Sequence, residues 1–400
     1  MDLKETFITN LVTYAKIDTG GDSSSNTVPT TQCQFDLAYF LRDQLISLGL
    51  KPEIDEHCFL YCLMNEGSQK RICLNAHLDT AEDAPNKNVK PRIHQYEGKD
   101  ISLENNITLL ATDLETQNVQ KGDTIVSSDG TTLLGGDDKA GISIIMTLIQ
   151  YLLEDKTRLA GLPEIMVCFS PDEENGKGGP YFNLQKLRKN DQTIALTIDG
   201  SNHHKICLKS IGARNFNVEV TGYSTHPGYA YHKLINAATA ASDIISELKK
   251  QLKSAEESKD EEGYLLVRNI KADISQASFN GFIRGYTDEQ LDYFSNGLRR
   301  ICKEHKGAAK VTVEIVKAYE NLEKYIPEDF KNKLRKHGEK YNCKYNPARG
   351  GTDGAKLSVL GLPTPDLWYG GHAYHSVREV VNVSESIDCI KFLIDFIGDL

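Results

Sequence analysis

No stretch of this 400-residue chain approaches the roughly 18 apolar residues that a bilayer-spanning helix needs. The longest apolar run, Ile142 to Leu153, is interrupted by Ser143, Thr147, Gln150 and Tyr151. Met1 to Thr13 is polar and mixed in charge, so it lacks the architecture of a signal peptide. There is no basic run, and the formal net charge is -10. Both facts argue against a nucleic-acid backbone or an anionic membrane as partner. The nine cysteines include no CxxC, and the isolated Cys58/Cys62 pair reads as two strand residues rather than half a metal site. Reduced thiols in a cytoplasm are the simplest expectation. Neither an internal repeat nor a low-complexity tract is present.

What is there is enough for a large core. The length and a 40% hydrophobic content suggest two domains or more. Phe7, Leu11, Tyr14 and Ala15 recur at helical spacing. A polar loop from Asp18 to Thr31 follows, then a helix with Leu37, Phe40, Leu41 and Leu45 on one face. Short apolar strands then alternate with helical stretches. Arg71–His77 runs into a loop carrying Asp79, Glu164–Ser170 into Pro171–Glu174, and Thr193–Ile198 into Asp199. Between them, Ala140 to Leu153 reads as a helix. This alternation predicts an α/β domain with a largely parallel sheet.

After about Lys209 the pattern changes. Phe216, Val218 and Val220 alternate as in a half-buried strand, and Leu234, Ala238, Ala241, Ile245 and Leu248 form one helical stripe. Strand-like stretches around Asp273 to Arg284, a helix over 288–305 and a strand over 311–316 complete a β-α-β-β-α-β order. That order predicts a smaller, ferredoxin-like α+β domain inserted in the first. The expected boundaries are 1–208 and 319–400 for the catalytic domain and 209–318 for the insert. The final helix is expected to bury Ile387, Ile390, Leu393, Ile394 and Ile397.

Four of these segments carry metal-type donors. His77 and Asp79 lie just past one strand, Asp137 and Asp138 before a helix, Glu173 and Glu174 past a second strand, and Asp199 past a third. In an open parallel sheet the carboxyl ends of the strands share an edge, and ligands bind there. Carboxylates gathered at one place repel, and a metal ion is the usual way to offset this. Singly, an HxD, a DD before a helix or a DEE loop has an ordinary structural explanation such as a helix cap. All three at strand ends, in this order, do not. A His/Asp/Glu set without thiolates suits zinc, with manganese or cobalt as competitors.

The motifs Asn75-Ala-His-Leu-Asp-Thr80, Leu134-Gly-Gly-Asp-Asp-Lys-Ala-Gly141, Ser170-Pro-Asp-Glu-Glu-Asn-Gly176, Thr225-His-Pro-Gly228, Arg349-Gly-Gly-Thr-Asp-Gly354 and His375-Ser-Val-Arg-Glu379 follow one another along nearly the whole chain. Together they resemble the co-catalytic dinuclear zinc metallopeptidases, a family that includes carboxypeptidase G, dipeptidases, acylases and aminopeptidases of tripeptides. HLDT, TLLGGDDKAG, PDEENGKG and the segment Asn86–Ile93 resemble the tripeptide-cleaving branch. The resemblance implies a hydrolase that releases the N-terminal residue of short peptides with two zinc ions per chain, as monomer or homodimer. It implies His77 and Asp199 on one metal, Glu174 and His375 on the other, and Asp137 bridging. Asp79 would orient His77, Glu173 would be the general base, and His226 would stabilise the oxyanion. Arg284 and Arg349 would hold the substrate's free carboxylate, for which a guanidinium is suited. The insert would close over the crevice as a lid.

Three choices remain on the residues alone. His372-Ala-Tyr-His375 offers two ligands, and the spacing to Glu379 favours His375. His203 and His204 match no motif and read as loop residues. No residue is assigned to the substrate's amine. A relative acting on another amide, such as a dipeptidase, a carboxypeptidase or an N-acyl amino-acid deacylase, would share the metal site and differ in its pocket. A non-catalytic scaffold would have no need of Glu173.

Overall fold

The seven residues Arg71–His77 are buried without exception, as befits a strand covered on both faces. In the computed structural model, which describes residues 1–200 and 204–400, this strand sits at the middle of a seven-stranded sheet. It pairs in parallel with Glu164–Ser170 on one side and Thr193–Gly200 on the other. Asp366–Trp368 extends the parallel part beyond Thr193–Gly200. Both edges are antiparallel: Leu60–Met64 and Glu53–Ile54 at one end, Ile206–Cys207 at the other. His203 falls outside the described residues.

The helix Gly136–Glu154 packs on the central strand and on the helices Leu3–Ala15 and Val383–Gly398. Ile142, Ile144, Ile145, Met146, Leu148 and Ile149 are all fully buried, so its apolar character is needed all round. It approaches the Thr193–Gly200 strand so closely that a Cβ on Gly141 would lie 2.3 Å from the Ile198 carbonyl oxygen. Only glycine fits there. No helix among the described residues is long and apolar enough to cross a membrane.

A second, four-stranded sheet belongs to the same unit. Its order is Gly371–His372, Val380–Asn382, Thr124–Ser127, Arg92–Gln95. These strands hold two to four residues each and show no period that sequence patterning could detect.

The chain folds into two compact units, residues 1–208 with 325–346 and 352–400, and residues 209–324 with 347–351. In the second, an antiparallel sheet in the order Tyr264–Ala272, Gln276–Gly285, Gly212–Thr221, Lys310–Tyr319 carries the helices Ala237–Gln251 and Asp288–His305. Their buried faces enclose Phe216, Val218, Ile244, Phe279, Ile283 and Leu298.

Several expectations need correction. The return to the first unit is not at residue 319. Asn321 accepts from the Ser210 amide at 3.1 Å and donates to the Tyr286 carbonyl at 2.9 Å, which keeps the chain on the second unit. Residues 347–351 rejoin that unit, where Ala348 accepts from the Tyr286 hydroxyl at 3.1 Å. Leu234 precedes its helix, whose N-cap is Asn236, and the buried stripe is Ala237, Ala240, Ala241, Ile244 and Leu248. Phe40 is exposed, packing edge-on to Tyr14. In the last helix Cys389, Phe392 and Phe396 are buried while Ile387 and Ile394 are only half-buried.

Candidate metal centre

His77 ends the central strand, opposite Ser170 in register. The chain leaving Ser170 carries Glu173 and Glu174, and Asp199 lies near the end of the strand on the other side. Three neighbouring parallel strands thus deliver their donors to one edge. Asp137 and Asp138 arrive from the start of the helix Gly136–Glu154, where both have non-helical backbone and the peptide between them is cis. His375 comes from the loop between Gly371–His372 and Val380–Asn382, two strands of the smaller sheet.

The distances separate the two aspartates. His77 Nε2 lies 3.1 Å from Oδ1 of Asp137 and 3.7 Å from Oδ1 of Asp199. His375 Nε2 lies 2.9 Å from Oε2 of Glu174 and 3.5 Å from Oδ2 of Asp137. Asp137 therefore presents one oxygen to each imidazole. Donor atoms of His77, Asp137 and Glu174 fall within 4.8 Å of one another, and so do those of His77, Asp138 and Asp199. Asp138 is nonetheless spent on the backbone. Its oxygens accept from the amides of His77 and Gly141, each at 3.1 Å.

The remaining carboxylates build the frame. Asp79 is fully buried and accepts from the amides of Glu173 at 2.9 Å and Glu174 at 3.1 Å. His77 Nδ1 lies 3.0 Å from the Asp79 carbonyl and 3.3 Å from its carboxylate, so backbone and side chain share the imidazole. Glu379 accepts from the amides of Leu134 and Gly135, each at 2.8 Å, and of Asp137 at 2.9 Å. Asp172 accepts from the Thr30 amide and the Gln34 amide nitrogen, each at 2.7 Å, and so anchors the polar 18–31 loop. His372 Nδ1 meets Gln117 at 2.8 Å. His204 pairs with Asp388 and packs edge-on to Trp368.

The electrostatics follow from burying so many carboxylates together. Burial pushes Glu173 and Asp199 well above the ordinary carboxyl range. Burial also raises Glu174, helped by the nearby Asp137. Asp137 is held low against burial by hydrogen bonds from His375 and His77. Hydrogen bonds to Asp137 and Glu174 push His375 up to about 11. His77 is raised too, against its burial, by Asp199, Asp137 and Asp79. Such a cluster can offset its negative charge only with protons or a bound cation. The donor set is two imidazole nitrogens with hard carboxylate oxygens, and Oε1 of Glu174 is buried without a hydrogen-bond partner. Both features fit a divalent metal.

His226, Arg284 and Arg349 lie on the second unit. His226 is exposed, and its Nδ1 accepts from the Gly228 amide at 3.1 Å. Arg284 stacks its guanidinium over Phe282 at 4.3 Å and Tyr319 at 5.1 Å, and its Nη1 is buried without a hydrogen-bond partner. Arg349 donates to the Asp260 carbonyl at 2.5 Å and the Ser258 hydroxyl at 2.9 Å.

An α/β unit with imidazoles and carboxylates converging at the ends of parallel strands defines a metal-dependent hydrolase. The chain belongs to peptidase family M20/M25/M40, whose pattern matches residues 133–399, and it is a metallopeptidase. Within that family it is 34% identical to a protein named peptidase T from Macrococcus caseolyticus, across 96% of this chain and 95% of the relative. The fold is shared with aminopeptidase PepT from Bacillus cereus, at a TM-score of 0.75 and 17% identity, covering 99% of this chain and 98% of that one. It is also shared with a dinuclear metal-binding peptidase from Bacillus subtilis, at a TM-score of 0.65 and 13% identity, covering 99% and 98%.

Proposed function

We propose that this chain is an aminopeptidase that releases the N-terminal residue of tripeptides, using two zinc ions and Glu173 as general base. The observation that carries the reading is the placement of His77 and His375 on opposite oxygens of Asp137, at 3.1 and 3.5 Å. A carboxylate shared in this way is what two adjacent cations require. His77 and Asp199 would hold one ion, Glu174 and His375 the other, and Asp137 both. Bound there, the pair would supply an activated water and polarise the scissile carbonyl.

The protein's own groups do the rest. Glu173, kept basic enough by burial to accept a proton near neutrality, takes one from the attacking water and returns it to the leaving amine nitrogen. His226 supplies a donor to the developing oxyanion. The Gly228 amide occupies Nδ1, so the neutral ring carries its proton on Nε2. Arg284 takes the substrate's carboxylate, with Arg349 as a second donor. None of the nine cysteines forms a disulfide, which supports a reducing cytoplasm as the place of action.

A panel of matched di-, tri- and tetrapeptides, with free and blocked termini, tests the reading in the presence of zinc. Tripeptides should be cut at the first bond, dipeptides slowly, and N-acylated peptides hardly at all. Equal or faster turnover of N-acyl amino acids would move the chain to the deacylases. The same preparation, dialysed and then analysed for metal, should hold two ions per chain.

A further inference from the structure

His375 is approached at both ring nitrogens. Nε2 faces Glu174 at 2.9 Å and Asp137 at 3.5 Å. On the opposite edge, Nδ1 lies 3.1 Å from Oδ2 of Asp83. Asp83 belongs to the loop that leaves the central strand, six residues after His77. The strand end and the loop after it, residues 77–83, therefore carry one candidate ligand and also a carboxylate facing a second ligand from the other end of the chain.

The local backbone leaves a role for such a partner. His375 has a left-handed φ of 61° in an irregular loop, and its side chain is 36% exposed. No packed core limits the rotation of this ring. His77, by contrast, is buried and has its Nδ1 fixed by Asp79. Asp83 makes no other hydrogen bond or ion pair among the described residues, and its side chain is 68% exposed. It has no packing duty that would explain its position. A neutral imidazole carries one proton, and the nitrogen opposite it offers the lone pair. A carboxylate at Nδ1 keeps the proton on that edge, which leaves the Nε2 lone pair directed at Glu174 and Asp137.

We infer that Asp83 is a positioning residue for His375, doing for this imidazole what Asp79 does for His77. The inference rests on the two-metal reading given above. It predicts that the affinity of the ion dependent on His375 is set partly by a solvent-exposed carboxylate 292 residues away in sequence.

The test compares the parent with Asp83→Ala, Asp83→Asn and His375→Ala. Each protein is freed of metal by dialysis and titrated with zinc against a chromophoric chelator. Thermal unfolding of the metal-free samples is recorded alongside. The parent should take up two ions and His375→Ala should lose one of them. Asp83→Ala should bind that same ion roughly 10- to 100-fold more weakly. Its other ion and its metal-free unfolding temperature should not change. Asp83→Asn, whose amide oxygen can still accept from Nδ1, should recover most of the loss. Equal zinc affinities in Asp83→Ala and the parent would overturn the inference and leave the two-metal reading standing. A raised KM for tripeptides with unaltered zinc affinity would also overturn it, since Asp83 would then act on the substrate. A parent that takes up fewer than two ions defeats the reading, and the inference with it.

Discussion

Oε2 of Glu174 lies 2.9 Å from His375, among the groups that converge on Asp137. Glu173, its neighbour, makes no such contact and is instead raised well above the ordinary carboxyl range, chiefly by burial. Adjacent glutamates thus meet different surroundings, although Asp79 accepts from the backbone amides of both. Glu173→Gln should keep both ions and lower kcat by roughly 100- to 10,000-fold, the usual worth of a positioned proton-transfer group. Glu174→Gln should weaken one ion first. Zinc titration and steady-state kinetics on both variants check the assignment, and equal metal loss in the two would refute it. At this scale much of the site can be read from sequence. HxD, DD and DEE are short patterns whose strand-end context follows from the apolar runs before them. Asp83 cannot be read this way, since an exposed aspartate in a polar loop has no pattern. Glu379 is visible only as a spacing from His375; its three backbone amides belong to a segment some 240 residues earlier.

Among elements, the long and strongly patterned ones were legible. The helix expected over 288–305 is found at Asp288–His305, and the three central strands lie where their apolar runs place them. The smaller sheet that presents His375 was not legible, because its strands are too short for any periodicity to emerge. Nor does sequence show how elements are tied together, as at Asp366. This residue begins the strand Asp366–Trp368 and accepts from the hydroxyl of Thr352, the N-cap of the helix Asp353–Val359, at 2.8 Å. Burial pushes its carboxyl up to about 7, against the hydrogen bond from Thr352. In the unfolded chain the same group titrates near about 3.9. The folded protein thus retains a proton that the unfolded chain loses. Its contribution to stability falls as pH rises from about 4 to 7, then levels. Asp366→Asn keeps the shape and removes the titration. It should gain on the parent across that window by up to about 1.4 kcal/mol per pH unit, with the smallest gain at pH 4. Denaturant unfolding of both proteins at intervals from pH 4 to 8 measures this; a gap that is the same at every pH contradicts it.

For the molecule as a whole, the proposed function would draw its substrate-binding groups from both units. The metal-type donors belong to the first and the arginines to the second. The two arginines are in unlike states. Arg349 is bound by Ser258 and Asp260, while Arg284 lies over the rings of Phe282 and Tyr319 with a buried nitrogen that has no hydrogen-bond partner. A guanidinium kept in place by aromatic faces, with one nitrogen buried and unpartnered, is suited to a carboxylate and loses little ordering entropy when it binds one. On the proposed reading, an aminopeptidase with such an anchor would recognise both ends of its substrate, and the span between them would select length. Arg284→Ala should therefore lower kcat/KM for free tripeptides by roughly 10- to 150-fold, the worth of a charge-assisted hydrogen bond of about 1.5–3 kcal/mol. Tripeptide amides, which lack the carboxylate, should be hydrolysed by parent and variant alike. Arg284→Lys should restore charge without the planar fork and recover only part of the loss. Arg349→Ala should have the smaller effect, because its guanidinium must first leave Ser258 and Asp260. If the parent turns over amides and tetrapeptides as fast as free tripeptides, the carboxylate anchor is refuted, and length selection must come from the metal-binding unit alone.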